Sequence, residues 1–402
     1  MSHQSTSPAP ARMPRRRVLA SLLSAVGVMA LPSCGGGGGA GGGVAGVDTG
    51  GTGSFFAGRI TGFGSIIVNG VRFEDNAARV ADDDGAALVA DDLKIGMVVR
   101  VQAGAITPGS GDVLPSATAT AIVVESQIKG RVESRTGTDT LVVFGQTVKL
   151  NAATVRAGTT FAAIAVGDVL EVSGFADAAG VITASRIERE ADANEFRVRG
   201  AIANLTATTF QIGSATFSFA GSQLPAGGLA NGLFVRVRTT TTQNASGQWV
   251  VTRIDLRAAI EDRDEAELEG ILVQSGSVLQ VGGVTIDTSR LVAGSVPAPG
   301  QKVEVEGRLV NGVLVASAIK LEDANEDALI DVRGTASAVD KVAQTFVVRG
   351  LSFHYTVGST REDHGTIAAD LANGANVRVR GSLPAPASGT GDIEASRIDF
   401  QP

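Results

Sequence analysis

The 402-residue chain has a formal net charge of −7, with 44% hydrophobic and 4% aromatic residues, 52 glycines and a single cysteine. One cysteine excludes an internal disulfide, so stability must come from packing. An acidic, aromatic-poor chain argues against the basic groove and stacking platforms that nucleic-acid binding needs.

The first fifty residues read as an export and anchoring signal. Arg12, Arg15, Arg16 and Arg17 form a basic stretch, VLASLLSAVGVMAL (18–31) is apolar, and Leu31, Pro32 and Ser33 lead into Cys34. This is the order of a signal peptide covering residues 1–33, and the apolar run is too short for a stable membrane span. The tripeptide resembles a lipobox, with Pro32 where a small residue is usual, which marks Cys34 for lipidation. RRRVL fits a twin-arginine signal, and its charge serves the general secretory route equally well. Gly35, where an aspartate would retain an enterobacterial lipoprotein at the inner membrane, points to outer-membrane sorting. Residues 34–54, nearly all Gly with Ala, Val and Thr, cannot offset their ordering entropy by burial. They are expected to be a disordered tether with a reach of roughly 25 Å.

The remainder repeats. A glycine followed by an apolar stretch opens each unit at Gly58, Gly130, Gly200, Gly270 and Gly334, at intervals of 72, 70, 70 and 64 residues. That period suits a small domain rather than a solenoid repeat. Next comes a hairpin-like stretch: SIIVNGVRFE, TLVVFGQTVKL, TFQIGSATFSF, VLQVGGVTIDT or TFVVRGLSFHY, two β-rich runs around a short glycine turn. A second glycine opens an alternating strand, as in GDVLEVSG and GQKVEVEG, and a strand such as ASRIER or ASRIDF closes the unit. Val303 and Val305 should face a core, with Glu304 and Glu306 facing water. The outward charge changes sign from Arg236 and Arg238 to Glu304 and Glu306, which argues against a shared binding chemistry. Only TIAADLANG (366–374) has room for a helical turn. The expected architecture is all-β, with five tandem antiparallel OB-like barrels over 55–126, 127–193, 194–260, 267–323 and 330–402. A β-sandwich is the alternative.

This succession, G-x-x-V-x-V-x-G followed by a closing A-x-x-I strand, resembles the bacterial family known as domain of unknown function 5666. The resemblance covers about 55–400. It implies tandem domains behind a lipoprotein signal, and the family has no established activity.

Acidic runs separate several units: EREADANE (188–195), EDRDEAELE (261–269) and EDANEDALID (322–331). Asp323, Asn325 and Asp327 alternate like the opening of a calcium loop, without the sixth-position glycine or the distal glutamate. Calcium there is the one cofactor candidate, against solvated hinges whose charges hold neighbouring domains apart. Asp82, Asp83 and Asp84 are placed at a loop tip of the first domain, and Arg197, Arg199, Arg236 and Arg238 on polar strand faces. His354 and His364 make a weak metal or acid/base pair, and no catalytic motif has a recognisable context. Trp249 reads as a cover over its own barrel or as a sugar platform. Asn204 and Asn244 head glycosylation sequons that are coincidental in a bacterial chain.

The reading is a non-catalytic cell-envelope lipoprotein, membrane-held through Cys34 and facing the periplasm or the cell surface. Its β-domains would take an envelope polymer or protein as partner, and nucleic acid is not expected. An enzyme acting on envelope polysaccharide or peptidoglycan is the rival.

Overall fold

The computed structural model describes residues 53–111, 113–157, 159–191, 193–221, 224–256, 260–322, 329–383 and 393–401. In the first unit the strands are β1 (Ser54–Phe63), β2 (Ile66–Val68), β3 (Val71–Glu74), β4 (Arg79–Asp82), β5 (Ala87–Leu88), β6 (Val98–Ala103) and β7 (Ser116–Glu125). β1 pairs antiparallel with β2 and β6, β2 with β3, and β6 with β7, while β3 runs parallel to β7. The five principal strands therefore close in the cyclic order β1-β2-β3-β7-β6, the arrangement of an OB-like barrel. Closure removes the open edges of a small sheet. The circuit recurs in 128–190, in 263–321 and in 329–400. In 196–256 the first strand meets its hairpin through the Ala203–Gln211 bridge. The one α-helix described, Ile367–Asp370 in the last barrel, starts at Thr366, whose side chain accepts from the Ala369 N–H.

Two glycine positions explain the repeat. Each opening glycine lies under the hairpin folded across it. A Cβ on Gly130 would come 2.5 Å from Phe144 Cβ, and one on Gly200 would come 2.3 Å from Ile212 Cγ2. The second glycine has a left-handed backbone in every unit, from φ +82° at Gly96 to φ +99° at Gly167, a conformation costly for other residues. There its N–H donates to the first strand two residues past the opening glycine: Gly96 to Ile60, Gly167 to Val132, Gly232 to Ile202, Gly300 to Leu272 and Gly374 to Ala336. The carbonyl of the following residue accepts from the same strand position, as Met97 does from Ile60. This reciprocal pair joins the fourth principal strand to the first.

The barrels are not separate beads. β1 runs parallel to Glu265–Leu268 of the fourth barrel through Ser54–Ala57, and to Asp331 and Val332 of the fifth through Gly62 and Phe63. Ile128 and Lys129 of the second barrel pair with Val198 and Arg197 of the third. The cores follow the same grouping. One apolar cluster joins the first and fifth barrels, a second joins the second and third, and the fourth draws in Phe55 and Ala57 of the first. Hinges that hold neighbours apart, as expected from the acidic runs, are therefore not the arrangement across the described junctions. Glu188 pairs with Arg186, Glu190 with Lys129, and Glu195 with Arg238.

The expected water-facing side of the alternating strand is also revised: Arg236 and Glu304 are only 7% and 6% exposed. That face of each barrel lies against a neighbour or within a charge cluster. Trp249 does more than cover its own barrel, because its ring meets Phe196 of that barrel and Phe144 of the second at 5.5 and 4.7 Å.

Candidate functional site

The densest concentration of buried charge joins the first barrel to the third. The turn after β4 carries Asp83 and Asp84 into a face built by the third barrel's first and fourth principal strands. Alternation aims Arg197 and Arg199 from one strand and Arg236 and Arg238 from the other to the same side, and the strands pair Arg197 with Arg238 and Arg199 with Arg236. Arg236 Nη1 lies 2.6 Å from Asp83 and 2.5 Å from Asp84, Arg197 Nη1 lies 2.9 Å from Asp84, and Arg199 and Arg238 bind Asp83 and Asp84 respectively. Glu125 bridges Arg199 and Arg100 at 3.1 and 2.9 Å. Burial by itself would lower the Arg199 pKa, and the Glu125 and Asp83 charges outweigh it and hold the group above the usual guanidinium value. The aspartate run is thus an inserted anion rather than a free loop tip, and the RVR segments are its receptor rather than solvated faces. The sequence signal was complementary charge at distant positions, and spacing could not pair them.

A second set of acids lies on the fourth barrel. Glu269 accepts the Arg59 backbone N–H of the first barrel at 2.8 Å and lies 2.5 Å from Lys302 Nζ. Burial tends to raise its pKa, but Lys302 and Arg59 hold it below the usual carboxylate value. On the same strand, Glu267 shares a patch with Glu304 and Glu306, their ligand oxygens all within 4.8 Å of one another. Burial and the two neighbouring carboxylates push Glu267 up to about 10. Three convergent carboxylates have the chemistry of a hard-cation site. Here Lys320 supplies the positive charge, bound to Glu306 and 3.4 Å from Glu304.

The structure does not bring the two histidines together. His354 Nδ1 lies 2.9 Å from Glu394, and His364 Nδ1 lies 2.7 Å from Asp399. Those carboxylates sit toward opposite ends of the closing strand Ile393–Phe400, roughly 16 Å apart at the ordinary strand rise. Arg15, Arg16, Arg17, Leu31, Ser33 and Cys34 lie outside the described residues, as do Asp323, Asn325 and Asp327.

The profile of a family described as domain of unknown function (DUF5666) matches residues 129–188, 269–320 and 333–399. Three segments of the chain, in tandem, match this family. No curated protein matches it. The matched segments fall within the second, fourth and fifth barrels, and the same circuit closes in 54–125 and 196–256. What the matched and unmatched barrels share is the scaffold of two glycines, hairpin and closing strand. Charge on the fourth principal strand is individual to each copy, from Arg236 and Arg238 in the third barrel to Glu304 and Glu306 in the fourth.

Proposed function

We propose that the chain is a bacterial cell-envelope lipoprotein whose five DUF5666-type barrels act as one non-catalytic structural and binding module. In this reading the signal peptide ends at Ser33, Cys34 is acylated, and the residues between Cys34 and β1, which begins at Ser54 rather than after it, tether the body to the outer membrane, facing the periplasm or the cell surface. Its partners are the membrane, through the anchor, and an envelope polymer or protein. The observation that carries the anchoring is the order of basic stretch, apolar run, Leu31-Pro32-Ser33 and Cys34. Several acyl chains on one residue hold a protein stably where one chain does not. Support for a non-catalytic body comes from the strongest charge clusters, which join one barrel to another.

The test is Cys34→Ser with membrane fractionation and mass spectrometry of the mature amino terminus. Acylated wild type in the membrane fraction and soluble variant are expected. Continued membrane partition of the variant, or an unmodified native terminus, would overturn the anchoring. The rival, an enzyme on envelope polysaccharide or peptidoglycan, draws on Glu267, a carboxyl held protonated beside Glu304. Release of soluble fragments from purified cell-wall material, abolished by Glu267→Gln, would favour it.

A further inference from the structure

A cleft of about 1270 Å³ opens where the first, second and fifth barrels meet. It exceeds the roughly 300–1,000 Å³ typical of small-molecule pockets. Phe63 and Ile95 of the first barrel, Leu150 and Phe161 of the second and Leu351 of the fifth give it apolar walls. Its charged lining is one-sided: Lys94, Arg156, Arg186 and Arg349 against Asp139, in a chain whose net charge is −7.

The cations differ in how they are held. Arg186 is committed to Glu188 and to the Ile95 carbonyl. Lys94 Nζ donates to the Asp91 carbonyl. Arg349 Nε donates to the Arg333 carbonyl at 3.0 Å, and the guanidinium lies 5.8 Å from the centre of the Phe63 ring. Among the described residues, no carboxylate forms an ion pair with Lys94 or Arg349. Asp75 is near enough to feel the Arg349 charge without pairing with it, so Lys94 and, in part, Arg349 keep charge available to an incoming anion, next to walls that favour hydrocarbon.

We infer that this three-barrel cleft binds a monomeric amphiphile: an acyl chain against the apolar walls, with an anionic head between Lys94 and Arg349. The inference supplies a ligand class for the binding module proposed above and rests on that reading. Its failure is read by titration and that of the anchoring by fractionation, so the two are distinguishable.

The test uses the full chain carrying Cys34→Ser, which removes acyl groups of its own, in detergent-free buffer below the probe's critical micelle concentration. Hexadecanoate is the probe, followed by calorimetry, with hexadecanol and inorganic phosphate as the other arms. Saturable hexadecanoate binding is expected, at least tenfold tighter than hexadecanol and undetectable for phosphate. Lys94→Gln with Arg349→Gln should weaken it at least tenfold. Ala162→Trp, an exposed position on the cleft wall, should block it while leaving the melting midpoint near that of the parent. Equal binding of hexadecanol, binding of phosphate with no gain from the chain, or hexadecanoate binding indifferent to all three substitutions would each overturn the inference.

Discussion

Asp83 in the first barrel lies 2.6 Å from Arg236 in the third, with side-chain exposures of 3% and 8%. Removing the negative partner of a buried pair leaves a charge that neither water nor protein compensates. Asp83→Asn with Asp84→Asn should therefore destabilise the chain by about 3–5 kcal/mol. Thermal melting gives the size of the loss. Hydrogen exchange gives its place, since amides of Phe196–Ala201 and Phe234–Gln243 should lose protection first. Unchanged protection there would mean that apolar packing alone holds these barrels together.

Glu269 should make stability fall in acid. Its folded-state pKa is depressed, so its contribution is present above the unfolded value of 4.5 and is lost as pH falls through the lower folded value. Glu269→Gln should be less stable than wild type by about 3–5 kcal/mol at pH 7, with a shallower decline between pH 5 and pH 3. Parallel wild-type and variant curves over that interval would contradict the assignment.

Glu267 works in the opposite sense. With a folded-state pKa near 10 against 4.5 unfolded, it stays protonated in the barrel while the unfolded chain ionises. Its contribution is most favourable below pH 4.5 and declines as pH rises toward 10. Glu267→Gln keeps a neutral side chain of similar shape. The variant should match wild type near pH 4 and exceed it at pH 8 by several kcal/mol, up to about 5, because ionisation of the unfolded wild type costs about 1.4 kcal/mol per pH unit above 4.5. Urea midpoints across this range are the check, and a variant less stable at pH 8 would remove the argument.

The two motif glycines should fail for different reasons. In Gly167→Ala the new methyl meets open space, and the cost is the left-handed backbone alone, about 1–2 kcal/mol. Gly130→Ala keeps an accessible backbone but drives its Cβ to 2.5 Å from Phe144 Cβ, an overpacking cost of about 1–3 kcal/mol. Phe144 is itself at φ +50° beneath three aromatic neighbours, so it has little freedom to retreat. Denaturant midpoints measure both losses. A shift in the Trp249 emission spectrum is expected for Gly130→Ala only, because that ring rests on Phe144.

Much of the barrel was legible because its determinants are local. Val377 and Val379 alternate with Arg378 and Arg380, Asn69-Gly70 reverses the first hairpin, and Gly374 ends TIAADLANG just before the next strand. The candidate sites were far less legible. Nothing near Asp83 in sequence announces Arg236, and Glu304 alternates like any solvent-facing residue until Glu267 and Lys320 enclose it. His354 and His364, close in sequence, are drawn to separate carboxylates on one strand.

The sequence by itself determined the repeating unit, the all-β class and the glycines that close each barrel, because steric limits and strand alternation act over a few residues. Tertiary structure alone decided which barrels share a core, which charges are buried and where the three-barrel cleft opens. Those outcomes depend on surfaces made by distant segments, and burial turns the same aspartate or glutamate from a solvated group into a partner that must be neutralised.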